Sequence, residues 1–123
     1  MKLTDLAWLL FGVALNAGAQ LGLKAATRAT GRIDSSAAGL WQAGQQIAVA
    51  PAFWMALLAY GLSVGVWTIG LSRVPVSQAY PVLSLGYVLT AVLAWPLLGE
   101  AVSAQRWLGI GVIIVGVWLV TRN

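Results

Sequence analysis

Four apolar runs of about twenty residues each decide what this chain can fold into: Leu3 to Leu23, Ala52 to Leu71, Ser77 to Leu98 and Ala104 to Val120. A hydrocarbon core about 30 Å thick is crossed by roughly 20 helical residues rising 1.5 Å each. In that core every backbone N–H and C=O must find its partner inside the segment, which leaves the α-helix as the conformation for a single run of this length. The chain is therefore expected to be an all-α membrane protein: one four-helix transmembrane domain over residues 1–123 with a single substantial loop, 24–51. Composition agrees, with 60% hydrophobic and 8% charged residues where a soluble domain carries about a quarter charged. The first run follows a lysine, as a signal peptide would. Its apolar stretch is too long for one, and polar residues interrupt the place where cleavage would be read, so it is taken as a span.

With four spans both termini and the Arg73 turn share one membrane side, and the long loop and the Glu100 turn share the other. Lys2, Arg73 and Arg122 then stand against Lys24, Arg28, Arg32 and Arg106, a bias too small to orient the chain. The net charge of +4 sits at span ends, where lipid headgroups are the expected partner rather than nucleic acid. The loop opens with a basic, turn-prone stretch and continues as AAGLWQAGQQIAVA. Helical spacing would place Leu40, Trp41, Ile47 and Ala48 on one face, with Asp34, Ser35 or Ser36 as the cap. A short helix in the headgroup layer and an extended lead-in to the second span both fit. Trp8, Trp41, Trp54, Trp95, Trp107 and Trp118 lie near span ends or in the loop, which is anchoring.

Within the first span, NAGAQLGLK places Asn16, Gln20 and Lys24 at four-residue steps. Residues four apart are separated by about 400°, so the three form a slowly turning ridge that climbs roughly 12 Å toward the span's end. An unpaired amide in hydrocarbon costs several kcal/mol, so such side chains face other helices or a wet cavity. Interhelical bonding explains the amides one by one, and snorkelling explains the lysine. The register of all three, ending in a cation at headgroup depth, points to a binding surface. Tyr60, Ser63 and Trp67 share a face of the second span and Tyr80, Ser84 and Tyr87 a face of the third. Together these would wall a groove with amides and hydroxyls. In the fourth span Gly109 and Gly116 lie on one side, a candidate dimer seam, since four helices alone hardly enclose a solute path.

Some chemistry is missing. Zero cysteines and zero histidines remove disulfides, thiolate sites and the commonest metal ligand, so no metal and no cofactor is expected. The acids Asp5, Asp34 and Glu100 all fall near span ends or in the loop, leaving no carboxylate at the bilayer centre for proton coupling. No phosphate-binding glycine loop for ATP is present. Transport without an enzymatic step is the expectation.

The stretch VPVSQAYPVLSLGYVLTAVLAWPLLGEAVSAQRWLGIGVIIVGVWLV, Val74 to Val120, resembles the small multidrug resistance and EamA-like branch of the drug/metabolite transporter superfamily. The short turn, the AYP entry to the third span, the GE turn and the glycine-bearing fourth span stand in that family's order. Within it, Ala17 to Thr27 is similar to the pattern AGQ-x-x-x-K-x-AT, and Val74 to Leu85 to VPV-x-x-AYP-x-LSL, of the small subunits of aminoarabinose-phosphoundecaprenol flippases. The similarity covers roughly residues 8 to 27 and 55 to 121. It implies four helices per chain, a homodimer or a heterodimer with a related four-helix subunit, and a place in the cell inner membrane. Proton-coupled multidrug members carry a glutamate eight residues before the lysine, where this chain has Asn16, and a tryptophan after the AY, where it has Leu83. The drug site is not carried over. Gln20, Lys24, Tyr80, Pro81, Ser84 and Glu100 match the flippase pattern.

The leading expectation is a flippase subunit moving a polyprenyl-phosphate-linked sugar, or a similar anionic glycolipid, between leaflets. Asn16, Gln20, Ser63, Tyr80, Ser84 and Tyr87 would face the sugar, and Lys24 the phosphate, with Arg28 and Arg32 raising the anion concentration nearby. Glu100 reads in two ways, as a partner of Lys24 in the empty site or as a turn residue ahead of a Ser103 cap. The alternatives are an exporter of small organic cations and a non-transporting assembly subunit.

Overall fold

The protein is described from a computed structural model, which places residues 1–28 and 30–122. Five helices follow in order: α1 (Leu3–Ala26), α2 (Ala37–Ala48), α3 (Pro51–Leu71), α4 (Val76–Leu98) and α5 (Ala104–Thr121). Four of them, α1, α3, α4 and α5, are long and apolar enough to cross a membrane. Their ends obey local chemistry. Pro51 stands in the first turn of α3, where its missing N–H leaves nothing unpaired. The α4 helix stops at Gly99, whose φ of 71° is the left-handed conformation a side chain would resist, and the Gly99 and Glu100 N–H groups bond back to the carbonyls of Trp95 and Ala94. Ser103 caps α5 by accepting from the Arg106 N–H at 3.2 Å.

The α1 helix is the centre of the bundle. It packs along its whole length against α3 and, on its other flank, against α4, while α5 rests on α4 and α3 scarcely meets α4. Close approach is what permits this: a methyl on Gly22 would stand 3.0 Å from the Ala56 side chain, and one on Gly12 would stand 3.2 Å from the Trp67 backbone nitrogen. Leu9, Val13, Ala79 and Val82 fill the α1–α4 seam together with Val74 and Val117. Because α3 and α4 both grip α1 but not each other, the space between them is a cleft floored by α1.

Four serine and threonine hydroxyls within the spans are bonded to their own helices. Ser63 donates to the Tyr60 carbonyl at 2.6 Å, Thr68 to Val64 at 2.7 Å, Thr90 to Gly86 at 2.7 Å, and Ser84 to the Pro81 carbonyl. This satisfies the donor where no water reaches and leaves the oxygen lone pairs free to accept.

The 24–51 loop contains a helix. Ser36 caps it, accepting from the Gly39 N–H at 3.1 Å and donating to Asp34 at 3.2 Å. As a helix, α2 sets Leu40, Trp41, Ile47 and Ala48 within an arc of about 120°, and most of that face is turned away from the protein. Ala43 is buried and Ile47 half-buried, whereas Leu40, Trp41 and Ala48 turn outward. Residues 39, 43 and 47 make the protein-facing stripe because α2 leans on α3 with small residues, which leaves the large ones for the headgroup layer. The Trp54 indole donates to the Ala48 carbonyl at 2.7 Å and ties the end of α2 to the start of α3. The first helix also runs on to Ala26, three residues beyond the Leu23 expected from hydropathy, and ends at Thr27, whose N–H bonds to the Leu23 and Lys24 carbonyls.

Candidate functional site

The cleft between α3 and α4 has two chambers. The wider one, about 580 Å³, is lined by Asn16, Gln20, Tyr60, Leu83, Tyr87 and Thr90, small residues of α4, and Glu100 at its mouth. The narrower one, about 170 Å³, is lined by Gly12, Asn16, Tyr60, Ser63, Trp67 and Tyr80. Asn16, Tyr60 and Leu83 belong to both, so the chambers are one cleft with a waist at Asn16. Its wider part falls within the size range of small-molecule sites, roughly 300–1,000 Å³.

The two ends of the cleft differ. Trp67 of α3 and Tyr80 of α4 meet edge to face, with ring centroids 6.1 Å apart at 89°, across the narrow chamber. The wide chamber opens where Lys24 Nζ lies 3.7 Å from Glu100 Oε1, both side chains about half exposed. The opposite end of the bundle carries a second ion pair, Arg73 to Asp5 at 3.8 Å. Lys24 and Glu100 are therefore at one end and Asp5 and Arg73 at the other, as the four-span topology requires.

The α1 ridge turns inward. Asn16 is half-buried on the cleft floor, and Gln20 is exposed into the wide chamber, its Nε2 donating to the Asn16 side-chain Oδ1 at 3.5 Å, a weak contact that leaves both amides bonding capacity to spare. Lys24 is not itself a wall residue and reaches the mouth through Glu100. Ser63 is buried at 4% exposure in the narrow chamber, its oxygen able only to accept because its proton is held by Tyr60. Tyr60, Tyr80 and Tyr87 are all exposed to the cleft. Ser84 lies outside the walls of both chambers: residues 80, 83, 86, 87, 90, 91 and 94 of α4 line the cleft, and Ser84 sits one step round the helix from that stripe. Arg28 donates to the Leu98 carbonyl at 3.0 Å, which makes it a cap for α4. The sequence reading missed Thr90, Gly86, Ala91 and Ala94, the small residues that give the cleft its width.

Tyr87, Ala91, Ala94 and Glu100 also line a second hollow, about 380 Å³, between α4 and α5, together with Arg106, Gly109 and apolar neighbours. Methyls built on Gly109 and Gly116 would meet nothing, so that flank of α5 is open.

Residues 8–122 match the profile of the EamA-like transporter family. The chain is 37% identical over 109 residues to the "Probable 4-amino-4-deoxy-L-arabinose-phosphoundecaprenol flippase subunit ArnE" of Klebsiella pneumoniae (strain 342), covering 89% of this chain and 88% of that one. To subunit ArnF of the same kind of flippase, from Enterobacter sp. (strain 638), it is 37% identical over 115 residues, 92% of this chain and 91% of the other. A subunit ArnE of Pseudomonas fluorescens (strain Pf0-1) is 41% identical over 73 residues, 59% of this chain and 64% of that one. No solved structure matches.

Proposed function

The chain belongs to the EamA-like transporter family, and from that premise we propose that it is a subunit of an inner-membrane flippase for a polyprenyl-phosphate-linked sugar. The observation that carries this reading is the single cleft that runs from a charged mouth at Lys24 and Glu100, past the Asn16 waist, to an aromatic stop at Trp67 and Tyr80. Similar proteins are named for an amino sugar on phosphoundecaprenol, and a headgroup of that kind is taken as the cargo.

Each part of such a lipid has a place. The phosphate meets the Lys24 ammonium at headgroup depth, where a point charge on a flexible stem can follow it. Sugar hydroxyls enter the wide chamber, exchange hydrogen bonds with the Asn16 and Gln20 amides and the tyrosine hydroxyls, and find acceptor oxygens at Thr90 and Ser63. The polyprenyl tail stays in lipid, leaving through the gap where α3 and α4 fail to meet. The chain makes and breaks no covalent bond in this scheme. With no acid on the cleft floor among the described residues, net movement follows consumption of the lipid in the receiving leaflet. The open flank of α5 at Gly109 and Gly116 suits a second four-helix subunit, either a copy of this chain or a relative. Equal similarity to two differently named subunits fits either arrangement.

Replacing Lys24 with Ala tests the reading. In vesicles holding the chain with its partner subunit, translocation of the lipid-linked sugar should fall about tenfold or more, the scale of a lost charge-assisted hydrogen bond, while the amount inserted in the membrane is unchanged. Undiminished transport would remove Lys24 from the phosphate site.

A further inference from the structure

Glu100 is the one acid on the cleft among the described residues, and it is held by the same lysine that the phosphate needs. Asp5 is engaged with Arg73 at the far end, and Asp34 with Ser36 in the loop. When a phosphate takes Lys24, the Glu100 carboxylate loses its partner and is left beside a second anion at the mouth of the cleft. Like-charge repulsion there disfavours a purely anionic headgroup. A headgroup that also carries a cation removes the penalty, because the incoming ammonium replaces Lys24 at the carboxylate while the phosphate replaces the carboxylate at Lys24.

Resting on the flippase reading above, we infer that Glu100 is the specificity residue of the site: it receives the protonated amine of an amino sugar as the phosphate takes Lys24, so that two ion pairs form where one is broken. The geometry suits the exchange. Lys24 and Glu100 come from different elements, the end of α1 and the turn after α4, and at 3.7 Å with half-exposed side chains they can part without moving a helix. A 4-amino group lies across a pyranose ring from the phosphate-bearing carbon, so a sugar lying crosswise in the wide chamber, with its hydroxyls toward Asn16 and Gln20, presents its charges on opposite sides, one toward Lys24 and one toward Glu100. Arg106 is the competing cation, since it lines the neighbouring hollow that Glu100 also borders. If Arg106 captures the released carboxylate, amine recognition disappears.

The test is equilibrium binding to the chain assembled with its partner subunit in nanodiscs, with two probes: a polyprenyl phosphate bearing a 4-amino-4-deoxy pentose, and the same lipid with a hydroxyl replacing the amine. The wild type should bind the amine lipid about tenfold more tightly, the size of one charge-assisted contact. Glu100→Gln should bring the ratio close to one and also tighten binding of the hydroxyl lipid, because Lys24 is no longer occupied. A residue that only shapes the turn would weaken both probes alike. Glu100→Asp, which keeps the charge, should keep most of the preference, and it stands in if the Gln variant is poorly folded. Equal wild-type affinity for the two probes, or a preference that survives Glu100→Gln, overturns this inference and leaves the flippase reading intact. A wild type that binds neither lipid overturns the flippase reading and this inference with it.

Discussion

The two ends of the bundle each carry one ion pair between α1 and a turn beside α4, and they are built to different ends. At the Asp5–Arg73 end the acid is only 14% exposed, and Trp67 and Tyr80 meet across the narrow chamber. At the Lys24–Glu100 end both side chains are about half exposed, at 60% and 48%, and the pair stands over an open chamber. A pair withdrawn from solvent is held by its surroundings, and removing one partner strands a charge. A solvated pair contributes little to stability and can be exchanged for a ligand's charges. The same interaction is thus suited to fastening at one end and, on the function proposed above, to docking a ligand at the other.

The largest break in that asymmetry should come from the waist between the two ends. Asn16→Leu removes the amide shared by both chambers and fills the passage with an apolar side chain of similar reach. Transport of the lipid-linked sugar is expected to fall about tenfold or more, since a buried headgroup hydroxyl then loses its partner. Stability should hardly move, because a polar contact between membrane helices is worth about 0.6 kcal/mol. Transport at the wild-type rate would place the path elsewhere.

A smaller effect sharpens the contrast directly. The chain has no cysteine, so Gln20→Cys and Ser63→Cys each give a single thiol, one in the wide chamber and one in the narrow. A membrane-impermeant thiol reagent added on the Lys24 side should label position 20 several times faster than position 63. Tyr80→Ala removes the edge-to-face contact, and it should then admit the reagent to position 63 from the Arg73 side, from which the parent protein is expected to exclude it. Labelling of position 63 from the Arg73 side with Tyr80 in place would show that the aromatic pair is no barrier.

What the sequence disclosed follows from contrast. Asn16, Gln20 and Lys24 stand out because polar side chains in an apolar helix must be facing something, and the even number of spans already put Lys24 and Glu100 on one side. The cleft walls did not stand out, because Gly86, Ala91 and Ala94 look alike whether a small residue admits a neighbouring helix or leaves a space. Ser84 illustrates the limit of spacing arguments: it shares a helical face with Tyr80 within 40°, and the cleft follows the other side of that face. The Asp5–Arg73 pair joins residues far apart in the chain, and only the packing of α1 against its neighbours brings them together.

The smallest expected effect separates fastener from docking point by stability alone. Asp5→Asn leaves the Arg73 guanidinium facing a neutral amide at a mostly shielded site, and Glu100→Gln leaves Lys24 in contact with solvent. The first loss is put at about 1 kcal/mol, discounted because Arg73 remains 48% exposed, and the second at close to zero. In thermal unfolding of the detergent-solubilised chain, Asp5→Asn should lower the midpoint by a few degrees and Glu100→Gln should leave it in place. High salt gives an independent reading, because ions screen exposed pairs far more than shielded ones. It should therefore weaken anionic lipid binding at the Lys24 end while the gap between Asp5→Asn and the parent protein persists. If instead Glu100→Gln proved the more destabilising of the two, the pair at the mouth would be a structural clamp, and an exchange of its charges with a ligand would have to open the bundle itself.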